Sequence, residues 1–120
     1  MQKNIQIKRV YEAASHADGI RILVDRLWPR GIKKAELHMD AWIKELAPSP
    51  ELRKWFDHDP KKFKEFERKY IEELDDNKRI WLPLIKEYLA DKITLLYAAH
   101  DPVINHAHCL QGYLKHHSLK

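Results

Sequence analysis

The residues of this sequence that could do chemistry together stand closest in Asp25-Arg26-Leu27-Trp28-Pro29-Arg30-Gly31, where a carboxylate, two guanidiniums and an indole share one turn-forming run. An arginine offers a planar fork of donors that matches phosphate or carboxylate, and a tryptophan offers a face for a ring or a cation. An anionic, ring-bearing ligand would find complementary groups here. The same run also reads as an ion-paired turn in which Trp28 fills a gap in the core, because structural networks concentrate charge too. A second group is His100-Asp101-Pro102 with Asn105 and His106. A histidine at the start of a helix feels the positive end of the helix dipole and could serve as a base, or be a hydrogen-bonded structural residue.

For these residues to meet, the chain must bring the segments after its strands together. Ile5-Gln6-Ile7-Lys8 alternates apolar and polar residues, the period of a strand with one buried face, and the strand is predicted to run to Val10. Ile20–Val24 and Ile93–Tyr97 are nearly continuous apolar runs rich in β-branched residues, as expected of strands buried on both faces and parallel to one another. Ser49-Pro50, Asp59-Pro60 and Asp101-Pro102 each pair a capping oxygen with a proline suited to a first helical position. They predict helices with core faces at Leu52, Trp55 and Phe56, at Phe63, Phe66, Tyr70 and Leu74, and at Val103, Ala107, Leu110 and Leu114. A further helix is expected over Met39, Trp42, Ile43 and Leu46 with Asp40 as its cap, and another over about Trp81 to Ala90, with Pro83 in its first turn or kinking it.

The expected fold is therefore one α/β domain over residues 1–120. A small, mainly parallel sheet of three to four strands is flanked by about five helices, with a long helical crossover between the second and last strands. In such sheets ligands bind beyond the carboxyl ends of the strands, where the run from Asp25 and the segment after Tyr97 would lie. The candidate site then has Arg9 and Arg30 for an anion, Trp28 for a ring and Asp25 with His106 for proton transfer. Arg26, Tyr97 and Asn105 complete its wall.

Composition narrows the alternatives. A chain of 120 residues that is 44% hydrophobic needs neither disulfides nor a metal to build a core, and no cofactor is implied. The single Cys109 has no internal partner and suggests a reducing, cytoplasmic setting; it reads as a small buried residue. No long apolar stretch points to a membrane span or leader. The eight histidines show no zinc-ligand spacing, and His116-His117 suits a helix carboxyl end. With three glycines, neither the dinucleotide pattern nor a phosphate loop can be written. A net charge of +4 mildly favours anionic partners. An anionic small molecule, bound or turned over, is the leading expectation. A nucleic-acid regulator using Leu52–Phe56 and the basic start Pro60-Lys61-Lys62-Phe63-Lys64 is the alternative, opposed by Glu72, Glu73, Asp75 and Asp76 on the same helix, and a non-catalytic binding module is the third. Oligomeric state is not encoded in any of these features.

Three segments together resemble the YeaO-like proteins, a family grouped under domain of unknown function 488: Lys8-Arg9-Val10-Tyr11, the stretch Gly19 to Gly31, and Leu95-Leu96-Tyr97-Ala98-Ala99 followed by Asn105-His106-Ala107. Leu46-Ala47-Pro48-Ser49 and Leu52-Arg53-Lys54-Trp55-Phe56 are similar to that family as well. The resemblance implies a bacterial α/β domain and names no reaction. Distant relatives carry Cys-Ala-Glu and Cys-His-Arg where this chain has Tyr97-Ala98-Ala99 and Asn105-His106-Ala107, so the resemblance leaves the histidine but not the thiols.

Overall fold

A computed structural model describes residues 4–116. Strands β1 (Ile5–Arg9), β2 (Ile20–Leu23), β3 (Ala41–Trp42) and β4 (Ile93–Tyr97) form one sheet in the order β1-β4-β2-β3, and every neighbouring pair is parallel. The last strand lies in the middle because it is the most apolar: all five of its residues are buried. Registers Arg9↔Tyr97 and Leu23↔Leu96 bring the carboxyl ends of β1, β2 and β4 to one edge. That edge is where the candidate residues gather.

Helices α1 (Pro50–Phe56), α2 (Phe63–Asp76) and α3 (Lys78–Ile85) occupy the crossover to β4, and α4 (His106–His116) follows it. Ile22, Val24, Ile93 and Leu95 turn toward these helices and join Phe66, Tyr70, Trp81 and Leu110 in the main core. The opposite face is covered by the loop after β2, where Leu23 and Leu96 pack with Val10, Leu37 and, less buried, Trp28 and Trp42. Beyond that small apolar patch the same face is polar. Asp18, only 2% exposed, accepts hydrogen bonds from Gln6, Lys8, Ser15 and Arg21, while its carbonyl takes the Thr94 hydroxyl.

Ser49 caps α1 by accepting the Leu52 N–H at 3.1 Å, Pro50 opens the helix, and the Ser49 hydroxyl donates to Glu73 of α2 at 2.6 Å. One side chain thus starts a helix and ties it to the next. Ser49→Ala should lower stability by about 1–2 kcal/mol, a lost cap plus a lost charge-assisted bond, read as a drop in melting temperature.

Several expectations are corrected. Residues 39–46 are not a helix: Ala41–Trp42 pairs with β2 as β3, and Lys44–Leu46 is a single 3-10 turn. Asp40 caps nothing there; its carboxylate and amide both bond the backbone of Arg21 at the sheet edge. Asp101-Pro102 does not start a helix either, since Asp101 Oδ1 accepts the amides of Val103 and Ile104 in a local turn and α4 begins at His106. Val103 is accordingly 50% exposed, and Trp55 is turned outward too, flanked by Lys62 and Lys69. The third helix starts at Lys78, holds Pro83 within it and continues as a 3-10 segment, Lys86–Ala90. Asp59-Pro60 opens a 3-10 turn that leads into α2. His117 lies outside the described residues.

Candidate functional site

Asp25 directly follows Val24 at the carboxyl end of β2, and its side chain crosses to the next strand. Oδ2 accepts the Ala98 N–H at 3.0 Å, just past β4. His106, the first residue of α4, places Nε2 at 3.0 Å from the Val24 carbonyl oxygen and 3.2 Å from Asp25 Oδ1. Both neighbours are acceptors, so Nε2 carries a proton, and the better-aligned bond goes to Val24. Asp25 Oδ1 is left buried and without a hydrogen bond.

The four arginines of the edge divide into two kinds. Arg9 donates to the carbonyls of Ala99 at 2.8 Å and Ala98 at 3.1 Å, with its guanidinium over the Tyr11 ring. Arg26 donates to the carbonyls of Ala47 and Pro48 at 3.2 and 3.3 Å. These two brace the backbone. Arg30 and Arg53 are exposed, and neither guanidinium has a hydrogen bond or ion pair with another described residue. They are the cations free to meet a ligand.

Both line a cleft of about 550 Å³ that also exposes Asp25, Trp28, Ala98 and His106. A recess of about 340 Å³ adjoins it beneath α1, and the two share Pro48, Arg53, His58, Ala99, Ile104 and His106. Trp28 is held in place: its indole N–H donates to Ile32 at 2.6 Å and its ring meets Trp42 edge-on at 5.4 Å. Tyr97, 3% exposed, borders neither cavity, and its hydroxyl is held above its ordinary range, chiefly by burial and then by Glu12. Asn105 caps α4 by accepting the His108 N–H, donates to Asp101 O, and borders only the smaller recess.

Sequence reasoning passed over Arg53 and His58. Both border both cavities, Arg53 from within α1 and His58 from its end, where the chain turns through two consecutive left-handed residues, Asp57 at φ 47° and His58 at φ 55°. Side chains rarely adopt this conformation, which tends to persist where function or packing enforces it. Cys109 is buried on α4, and burial followed by Glu67 pushes its thiol well above the ordinary range, so it is not a poised nucleophile. Among the described residues no three His, Cys, Asp or Glu side chains gather as a metal site, and no helix is long and apolar enough to cross a membrane.

The family described as the inactive DUF488-N3 subclade matches residues 4–120. The chain belongs to the DUF488-N3i family. The chain is similar to the uncharacterized protein YeaO of Escherichia coli K12, 46% identical over 112 residues, which span 93% of this chain and 97% of that one. Uncharacterized proteins of Mycobacterium tuberculosis H37Rv and Mycobacterium bovis are 46% identical over 76 residues, 63% of this chain and 64% of theirs. No solved structure matches the DUF488-N3i chain.

Proposed function

We propose that the cleft at the carboxyl ends of the strands binds an anionic small molecule, phosphorylated or nucleotide-like, without covalent chemistry. The observation that carries this reading is the pair Arg30 and Arg53, two guanidiniums on one cavity with no partner among the described residues. His58, His100 and His106 border the same space and bring imidazole rings to it. A cavity of this size suits a small molecule. No serine, threonine or cysteine side chain of the described residues borders either cavity, and the family's description as inactive supports binding over turnover.

The second reading is catalysis of proton transfer by Asp25 and His106, favoured by the unsatisfied Asp25 Oδ1 beside the imidazole. A cytoplasmic setting fits either ligand chemistry. The nucleic-acid reading is weaker, because Lys62 at the basic start of α2 is bound to the Trp55 carbonyl at 2.9 Å.

The test is calorimetric titration with orthophosphate, sugar phosphates and nucleotides. Arg30→Ala and Arg53→Ala should each weaken a binding anion by about tenfold to a hundredfold, the value of a charge-assisted hydrogen bond, with little change in melting temperature. Arg26→Ala should instead lower the melting temperature. If no anion binds the wild type at millimolar concentration, the proposal is wrong.

A further inference from the structure

The adjoining recess differs in chemistry from the cleft it opens into. Its walls are Phe56 and Phe66, stacked at 4.3 Å between ring centres, with Pro48, Pro50 and Ile104. Arg53, Lys54, Asp57, His58 and His106 border it as well, and the amide of Asn105, the remaining polar residue of the wall, is spent on Asp101 O and the His108 N–H. The apolar part of this wall can receive apolar surface at little desolvation cost. Arg53 and His58 stand where this pocket meets the cleft, and exposed Lys54 borders it. Charged and apolar groups therefore border the same recess. Trp28, the other ring of the site, already has its indole N–H bonded and its edge packed on Trp42.

We propose that this recess receives the flat, apolar half of an oxyanion whose charged group is held at Arg53 and His58. The inference rests on the reading of the cleft as an anion site and adds the ligand's class: a ring carried on a phosphate or carboxylate. The guanidinium fork takes the oxyanion, and the ring packs on Pro48, Pro50 and Ile104 and on the small part of Phe56 and Phe66 that the core leaves uncovered. Ile104, half-buried at the junction, closes the other side.

The experiment titrates the full chain with two pairs of probes, orthophosphate against phenyl phosphate and acetate against benzoate, and maps the bound ring by nuclear Overhauser contacts. The ring-bearing member of at least one pair should bind about tenfold tighter or more, with ring contacts to Phe56, Phe66 and Ile104. Which pair shows the gain separates a phosphate from a carboxylate ligand. If the simple anions bind but the ring adds nothing, or its contacts fall on Trp28 and Leu27, the recess has been misassigned while the anion site stands. If none of the four binds, both readings fall together.

Discussion

Asp18→Asn is expected to destabilise the fold by about 3–5 kcal/mol, a large share of the 5–15 kcal/mol available to a domain of this kind. The carboxylate, 3% exposed, stands between Lys8 at 3.1 Å and the nearly buried guanidinium of Arg21. It also closes the capping box with Ser15. An asparagine keeps the shape but leaves Arg21 charged and uncompensated, and removing one partner of a buried pair is the costly case. Urea denaturation measures the loss, and a value below about 1 kcal/mol would show that water or rearrangement replaces the carboxylate. Burial alone would raise the Asp18 carboxyl, but the Ser15 N–H, Lys8 and Arg21 together hold it below its ordinary value. The contribution is thus present above the unfolded-state value of 3.8 and fades as pH falls through the lower folded-state value. The difference between wild type and variant should narrow over that acid range. Asp18 lies before β2, at the opposite end from Asp25, so ligand affinity of the folded variant should not change.

Gly19→Ala, at the next position, should destabilise by about 2–4 kcal/mol, combining backbone strain with the loss of a sheet hydrogen bond. Gly19 has φ 66° and ψ −136°, a combination open to glycine alone, and a Cβ there would come within 2.4 Å of the Lys92 carbonyl oxygen. That oxygen accepts the Ile20 N–H at 2.9 Å, the bond that begins the pairing of β2 with β4. The obstacle is backbone, which cannot swing aside as a flexible side chain would. Gly31 supplies the control: its φ is 75°, but nothing stands within 4 Å of its would-be Cβ. Gly31→Ala should show the backbone component alone, about 1 kcal/mol. Equal losses in the two variants would mean that the contact with Lys92 does not matter.

The central strands were legible because burial on both faces leaves an apolar run that few other structures produce, and Ile22, Leu23, Leu95 and Leu96 are all fully buried. Residues 39–46 misled for a physical reason. Trp42 points into the small cluster under the loop, whereas Ile43 and Leu46 point into the main core, so an extended stretch followed by a 3-10 turn imitated helical spacing. Asp101-Pro102 misled differently, since an aspartate that accepts amides two and three residues ahead uses the same chemistry in a turn as in a helix cap.

At the site, Asp25 and His106 were legible as residues that follow strands, and the structure puts them 3.2 Å apart. The division among the arginines was not. What occupies Arg9 and Arg26 is main-chain carbonyl oxygen, which every residue carries and no side-chain pattern reveals. Arg53 reaches the cleft only because α1 folds back over the sheet edge, a matter of tertiary geometry rather than of spacing.

The strand order has a consequence for the chain as it is made. Synthesis proceeds from β1 to β4, yet β1 and β2 pair only through β4, which lies between them. Both early strands leave the ribosome with open edges and wait for residues 93–97 before either gains that partner. The same late strand carries Ala98, whose amide receives Asp25. Completion of the sheet and assembly of the cleft floor are therefore one event, and a nascent chain halted before Ile93 has neither.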